Sequence, residues 1–587
     1  MYCRFDFRCP NQCTQEEIWF TEPIRIVTAF HLKEVVRAMQ EVDAAVAEGM
    51  WAAGYVRYEA APAFEGAMQT QPADPRYPLV CFGIFAQPST QPPITKLNGL
   101  HNGQLGPMQP GVTKAIYDEA IGSIRESIGR GDIYQANYTF PLIGEDNGDP
   151  YDLYLNLLRS SDAGYCALLQ LADHTIVSLS PELFFERSGD NILTRPMKGT
   201  WERGRWLEED TRNRVLLKQS EKDRAENIMI VDLLRNDLGR IAIPGTVHTQ
   251  DLFHLEKYPT VWQMTSTITA QAEPQIGITQ LFTALFPCGS VTGAPKIAAM
   301  AQIARVERYT RGAYCGAIGY VKPGGDARFN VAIRTLTLET DSHNAIYPVG
   351  GGITWDSRAS LEYAEAISKS AVLTTRQPPF EMLETIRLQD GKYYLLDRHL
   401  NRLFDSLMYF GRSASRDTVE DTLTALANKR QTGIWRVRLL VDSNGDHRTE
   451  IFPLTPILLH QKVQVAPLRV DSSNRFLFHK TTYRDTYDAA LKQCPDAFDA
   501  LLANQNGDLT EFTRGNLVVD INGKRITPHR SSGLLAGTLR EELVANGEIT
   551  EAVIPLEALS EATNIWWINS VRGWISVTLS ASTEERA

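Results

Sequence analysis

SLSPELFFER (residues 178–187), RPMKGT (195–200) and EKDRAENIMIVDLLRNDLGR (221–240) follow one another within a short span of the chain, and they decide its reading. The first places Glu182 after Ser180–Pro181 and before an apolar strand, at a strand edge facing a cleft. The second sets Lys198 between Pro196 and Gly199–Thr200, where the backbone can come close to a bound molecule. The third is amphipathic: a helix over about 214–238 puts Ala225, Ile228, Val231, Leu234 and Leu238 at helical spacing. On that helix Asp223 and Glu226 stand three apart and share a face. An acid, an amine and two helical carboxylates are what removal of a hydroxyl from a carboxylated ring requires. The amine attacks only when neutral, so Lys198 in that role needs burial or nearby positive charge.

Outward from this span the pattern stays mixed up to about Ser370. LVCFGIF (79–85), YCALLQL (165–171) and GAIGYV (316–321) read as strands, and the polar stretch from Gln87 to Thr113 reads as a surface excursion. At LTTRQPPFEML (373–383) the Pro378–Pro379 pair stops the preceding helix, and new strand patterns follow in GIWRVRLLV and NLVVDINGKRITP. The expected domains are therefore 1–372 and 377–587, as a length of 587 residues requires more than one core.

Composition restricts the function classes. With 43% apolar and 22% charged residues the chain has the make-up of an ordinary enzyme, and no apolar run reaches the roughly 20 residues that span a bilayer. The start, MYCRFDFRCPNQC, lacks the apolar core of a signal peptide, so the cytoplasm is the expected compartment. A net charge of −11 without a basic block argues against nucleic acid and membrane partners. Cys3, Cys9 and Cys13 cluster without a second pair at zinc-site spacing, and reduced thiols are the expectation.

Further candidates surround the opening span. Glu362, Glu365 and Lys369 fall on one face of a second helix, just after VGGGITW (349–355). Each carboxylate alone reads as a solvated helix face. Together, acids from two helices (Asp223 and Glu226; Glu362 and Glu365) are a usual way to hold Mg²⁺, which keeps several waters and binds a substrate carboxylate. Arg334 is a charge within an apolar strand, FNVAIRTL (329–336), and needs an anionic partner. CGSVTGAPK (288–296) and the glycines 350–352 offer backbone N–H groups to anions.

These segments, with GDIYQANYTF (131–140), YCGAIGY (314–320) and EYAEAISK (362–369), closely resemble the chorismate-binding enzymes, in family order from about Tyr117 to Ser370. The resemblance implies an α/β sandwich, Mg²⁺ on Glu226 and Glu365, Glu182 as general acid, and Arg334, Tyr314, Thr292, Gly352, Lys369 and Thr200 as grips on the substrate. Lys198 resembles the aminodeoxychorismate synthase branch; the anthranilate branch typically has Ala there. Gln135 occupies the place of a water-activating Lys in isochorismate- and salicylate-forming relatives. Gln263, where other branches often have His, is given no proton-transfer role. The implied reaction is a pair of allylic displacements. Lys198 adds at C2 of chorismate while Glu182 protonates the leaving C4 hydroxyl, and ammonia then enters at C4 and expels the lysine.

Three features mark the tail: Lys480 at a strand end in FLFHKTTYRDTYD, Glu511 in GDLTEFTRGNLVV, and Gly537–Thr538 opening a helix in LLAGTLR. An amine, an acid and a helix N-terminus suit a phosphate-bearing aldehyde cofactor. Each alone is also a surface lysine, a turn acid or a cap. With LETIRLQDGKYYLLDRHLNRLFDSLMYFG and INSVRGW they resemble the class IV pyridoxal-phosphate family, an α/β fold of two subdomains. That resemblance implies Lys480, Glu511, Arg402 and Thr538 as cofactor residues. Thr385 sits near a Thr that lyases of the family place beside the reacting ring, and Arg436 or Arg438 would bind substrate carboxylate. Lyases of 4-amino-4-deoxychorismate and amino-acid aminotransferases share these motifs. The fusion favours the lyase, because the first domain's product would be its substrate.

No cysteine lies in a nucleophile elbow, Cys288 and Cys315 included, so the resemblance implies ammonia from a separate glutamine amidotransferase subunit. Class IV relatives are commonly dimers, which implies a homodimer through the C-terminal domain. A non-catalytic relative would not be expected to keep Glu182, Lys198, Glu226, Glu365 and Lys480 together.

Overall fold

The computed structural model describes residues 1–8, 15–90, 103–161, 163–273, 275–374, 378–457 and 460–580. The chain forms two compact units, one of Met1–Glu202 with Arg214–Gln377, the other of Arg203–Asn213 with Pro378–Ala587. The short insert Arg203–Asn213 belongs by its contacts to the second unit, although it lies within the sequence span 1–372. Cys9 and Cys13, and much of the 87–113 excursion, lie outside the described residues.

In the first unit a nine-stranded and a ten-stranded antiparallel sheet pack face to face. Strand alternation explains why. In Tyr2–Arg8 the side chains of Cys3, Phe5 and Phe7 point one way, into a layer shared with Phe20, Tyr55, Phe85, Ile318 and Tyr320. Each such aromatic removed from water contributes about 1.5–3 kcal/mol. The outer face of one sheet is covered by the helices Lys114–Gly129, Pro150–Ser161, Lys296–Val306 and Ala359–Ser368. The other carries Leu32–Ala47, Glu221–Gly239 and Ile278–Leu285. This is the α/β sandwich, and the expected strands appear at Val80–Phe85, Tyr165–Gln170 and Ala317–Val321.

Two local readings need correction. The helix expected over 214–238 is two helices, Leu207–Gln219 and Glu221–Gly239, because the Ser220 hydroxyl accepts the Asp223 N–H and starts a new N-terminus. Its buried stripe is Asn227, Ile230, Val231, Leu234 and Leu238, while Ile228 is 43% exposed. Periodicity alone counts Asn227 as outward, yet its amide is bonded inside the fold. Arg334 is not within a strand. It stands in the break between Ala327–Val331 and Thr335–Glu339 with a left-handed φ of 50°.

The second unit has two sheets. A four-stranded antiparallel sheet built on Met382–Gln389 and Ile434–Val441 is covered by the helices Leu396–Tyr409 and Arg416–Asn428. An eight-stranded mixed sheet has His460–Val470 running parallel to Asp499–Asn504 and to Gly573–Leu579. The helix Thr538–Ala545 lies against it through Leu539 and Leu543, which meet Val518 and Ile568.

Candidate active sites

The strand Met197–Glu202 carries Lys198 into the first unit's site, and three neighbours fix it there. Asn227 donates its amide to the Lys198 carbonyl at 3.2 Å and accepts from the Ser266 hydroxyl at 2.6 Å. Gln263 donates to the Gly199 carbonyl at 3.0 Å and accepts from the Thr200 hydroxyl at 2.8 Å. Gln263 thus holds the strand, and Thr200 is engaged with it. The Lys198 amine lies 3.3 Å from Glu226 Oε2.

Gly352 faces that amine. A Cβ there would stand 2.6 Å from Lys198 Nζ and 2.8 Å from Gln135 Nε2, so only glycine leaves the amine its place. Both polar atoms of the Gln135 amide are buried without a hydrogen-bond partner. A buried amide left open in this way loses its desolvation energy uncompensated unless something else occupies the cavity beside it.

Glu182 lies between the strands His174–Ser180 and Leu183–Ser188 and is 3% exposed. Its Oε1 has no partner. Burial raises its carboxyl to about 7, against the opposing pull of the Ser290 side chain, the Met197 N–H and Lys198. The proton needed by a general acid is therefore held near neutrality.

The carboxylates cluster around lysines. Lys222 stands 3.9 Å from Glu226 Oε1, and Lys369 stands 2.9 Å from Glu365 while donating to the Gly350 carbonyl at 2.8 Å. Lys369, then Lys198 and Lys222 after burial's opposing effect, hold Glu365 below the usual carboxylate range. Burial, and beyond it Glu365, pushes Glu362 up. Asp223 is engaged at the helix N-terminus, where it accepts from Ser220 Oγ at 2.5 Å and Trp201 Nε1 at 3.3 Å. Among the described residues no three His, Cys, Asp or Glu side chains gather closely enough to hold a metal alone. Glu226 and Glu365 both lie in the field of Lys198 and Lys222, and such an oxygen pair fits Mg²⁺ completed by water and a substrate carboxylate.

Three further expected grips have contacts of their own. The Thr292 hydroxyl donates to its own loop, to the Cys288 and Gly289 carbonyls. Tyr347 acts electrostatically on Tyr314, and Arg334 acts on Tyr347. The Arg334 guanidinium has no ion pair or hydrogen bond among the described residues, so it is open to an anion. Sequence reasoning missed Ser290, inside CGSVTGAPK, and Asn227; neither carries a signal beyond its place in a motif.

In the second unit Lys480 is in a loop after the turn Arg475–Leu477, not at a strand end. The loop is pinned instead by its own carbonyl, which accepts the Leu383 N–H at 3.0 Å. Burial first, then Arg402, lowers its amine to about 8. Glu511, in Leu509–Phe512, accepts from the Tyr487 hydroxyl at 2.7 Å, the Leu535 N–H at 3.0 Å and the Asn516 amide at 3.1 Å. Burial nonetheless raises it to about 7.

Arg402 is already employed. It donates twice to Glu384 at 2.8 Å and once to the Ala536 carbonyl at 3.0 Å. Burial would raise Glu384, but Arg402 and His399 bring it down to about 2. His399 Nδ1 meets Glu384 at 2.6 Å, and its Nε2 lies 3.2 Å from Thr538 Oγ1 and 3.0 Å from Ser570 Oγ. Gly537 caps the helix that Thr538 opens; a Cβ there would strike Asn516 Oδ1 at 1.9 Å. Thr385, next to Glu384 in one strand, points to the opposite face. Its cross-strand neighbour Arg438 is paired with Glu450 at 2.7 Å, and Arg436 lies over the Phe452 ring. Lysine, buried acid and helix N-terminus are the donor set a phosphorylated pyridine aldehyde needs, and they fit it.

Burial pushes the thiols of Cys288 and Cys315 up to about 12, and all six described cysteines are buried. No described helix is long and apolar enough to cross a membrane.

Comparison with known proteins gives a family for each of the two stretches of chain. Residues 7–375 match the family described as chorismate binding enzyme, and residues 381–579 match the class IV amino-transferases. Aminodeoxychorismate synthase component 1 of Escherichia coli K12 is 41% identical over 261 residues, 44% of this chain and 57% of that protein. Anthranilate synthase component 1 of Saccharolobus solfataricus is 37% identical over 271 residues, 45% of this chain and 62% of that protein. The chain spans little more than half the length of these relatives. Anthranilate synthase component I from Streptococcus pneumoniae TIGR4 shares the fold, with a TM-score of 0.52 and 23% identity over 64% of this chain and 90% of that one. The chain belongs to the chorismate-binding enzyme family, and it carries a class IV amino-transferase unit after it.

Proposed function

We propose that the chain converts chorismate and ammonia to 4-amino-4-deoxychorismate in its first unit, and that product to 4-aminobenzoate and pyruvate in its second, for folate synthesis. The observation that carries this reading is Lys198 Nζ, 3.3 Å from Glu226 and facing the open Gln135 amide across Gly352. The 41% identity to an aminodeoxychorismate synthase component supports it.

In the first unit Lys198 adds at C2 and Glu182, protonated near neutrality, delivers its proton to the departing C4 hydroxyl. Ammonia then bonds to C4 and the C2–lysine bond breaks. Arg334, without an ion pair among the described residues, takes a substrate carboxylate, and Lys369 fixes the glycine strand at Gly350. Glu226 and Glu365 would hold Mg²⁺, which would supply positive charge to the ring carboxylate.

In the second unit Lys480, Glu511, Thr538 and Arg402 would hold pyridoxal phosphate, which would supply an electron sink for the substrate amine. Glu511 would keep the cofactor's pyridine nitrogen protonated. Lys480, lowered to about 8, takes the C4 proton, and loss of pyruvate leaves an aromatic ring. The buried thiols of Cys288 and Cys315 make poor glutaminase nucleophiles, which supports a separate glutaminase as ammonia source.

The test is a product assay on the single chain. Chorismate, Mg²⁺ and ammonium should yield 4-aminobenzoate and pyruvate in equal amounts with no keto acid added. Anthranilate as product, or a second step that needs a keto acid, would overturn the reading. The pH profile adds a sharper check. At a fixed concentration of free NH₃, chorismate consumption should fall about tenfold per pH unit above about 7, where Glu182 ionises. A rate flat to pH 9 would remove Glu182 from the acid role.

A further inference from the structure

We propose that Arg203–Asn213, the segment following the Lys198 strand, is a strap that positions Lys480 through His479. The proposal rests on reading Lys480 as the cofactor lysine. The strap clusters with the second unit although the chain around it belongs to the first.

Its contacts converge on the residue before Lys480. The Arg205 carbonyl lies 3.1 Å from His479 Nε2, and the Ser406 hydroxyl lies 2.9 Å from Nδ1. A carbonyl only accepts, so Nε2 carries the hydrogen and Nδ1 accepts from Ser406. Burial, then Arg530, depresses His479 to about 3, which keeps the ring neutral in this single tautomer. The imidazole is also held by stacking on Tyr409, with centroids 4.3 Å apart. Tyr409 in turn donates its hydroxyl to the Gly204 carbonyl at 2.7 Å, and its own carbonyl accepts from Arg203 at 2.8 Å.

The strap is shaped for this seat. Asp210 accepts from Arg203 Nε at 2.6 Å and from the Gly204 N–H at 3.0 Å, closing it into a loop. A Cβ on Gly204 would meet Asp210 N at 2.0 Å, so the loop closes only on glycine. Trp206 lies on Phe478 with centroids 5.0 Å apart, beneath Arg530 at 4.8 Å. Arg205 donates to the Ser472 and Ser531 carbonyls at 3.2 and 3.0 Å. Phe478 and His479, the two residues before Lys480, are therefore both fixed by the strap. With its backbone set, Lys480 keeps its place among the charges that act on it: Arg402, Glu384, Arg484 and Glu511.

The test uses the full chain loaded with pyridoxal phosphate. Trp206→Ala and Ser406→Ala each loosen one side of the Phe478–His479 pair. Both should bind one cofactor per chain, yet move the pH midpoint of the lysine-bound cofactor's absorbance upward as water reaches Lys480. Both should also lower kcat on supplied aminodeoxychorismate by about tenfold to a hundredfold with little change in KM. Trp206→Phe, which keeps a ring on Phe478, should restore midpoint and kcat. If Trp206→Ala does not accumulate as folded protein, Arg205→Ala, which removes the strap's bonds to the Ser472 and Ser531 carbonyls, carries the same test. Wild-type midpoints and kcat in the loaded variants would overturn the strap's role alone. A wild-type chain that takes up no cofactor, or is labelled by borohydride elsewhere than Lys480, would overturn the underlying reading of the site.

Discussion

Lys198→Ala removes the covalent route to the amine and should lower ammonia-dependent chorismate consumption by several orders of magnitude, as loss of a nucleophile commonly does. Substrate binding should survive, because Arg334 and the glycine strand are untouched. What is lost is the amine facing Gly352 and Gln135. Direct entry of ammonia at C4 leaves a small residual rate that rises with ammonium concentration. Aminodeoxychorismate supplied from outside should still give 4-aminobenzoate at the wild-type rate, which separates this effect from misfolding. Chorismate turnover at the wild-type rate would show that Lys198 is only a partner for Glu226.

The second large effect belongs to Lys480→Ala. Here the first step should run on and its product should accumulate: aminodeoxychorismate appears, while 4-aminobenzoate and pyruvate fall by about a thousandfold or more. The wild-type chain should be yellow, and borohydride should fix the cofactor to a peptide containing Lys480; the variant should lose both signals. Glu511 and Thr538 remain, so weak uptake of free cofactor is compatible with this outcome. A colourless wild-type chain with full lyase activity, or label on another lysine, would sink the assignment.

Much of this was legible in the residues. Alternation in YCRFDFR and VCFGIF follows from one strand face meeting the layer between two sheets, and the motifs around Glu182, Lys198 and Lys480 announced acid and amines. What periodicity could not see was polar burial. Asn227 reads as outward on any helical count, yet its amide holds the Lys198 carbonyl, so the buried stripe includes it and leaves Ile228 outside. Arg334 sits among apolar residues in sequence, but a left-handed backbone takes it out of the strand. The strap was invisible for a different reason. RGRWLEEDTRN has the composition of an exposed turn and helix start, and nothing local says that its partners lie some two hundred or more positions further on.

Glu182 and Glu511 are both buried acids raised to about 7, and together they tie the chain's folding equilibrium to protons. Unfolded, each releases its proton near 4.5. Between that value and about 7 the native state therefore binds more protons than the unfolded one, and stability declines as pH rises. Above about 7 each carboxylate is charged in a dry place, a cost on the order of 3 kcal/mol. On the proposed reading of the site, a protonated pyridine nitrogen against Glu511 would offset that cost, most where the charge is fully developed. Above about 7, therefore, the proposed cofactor would act against the charge that pH develops on Glu511, and the stabilisation it lends through that carboxylate would be largest there.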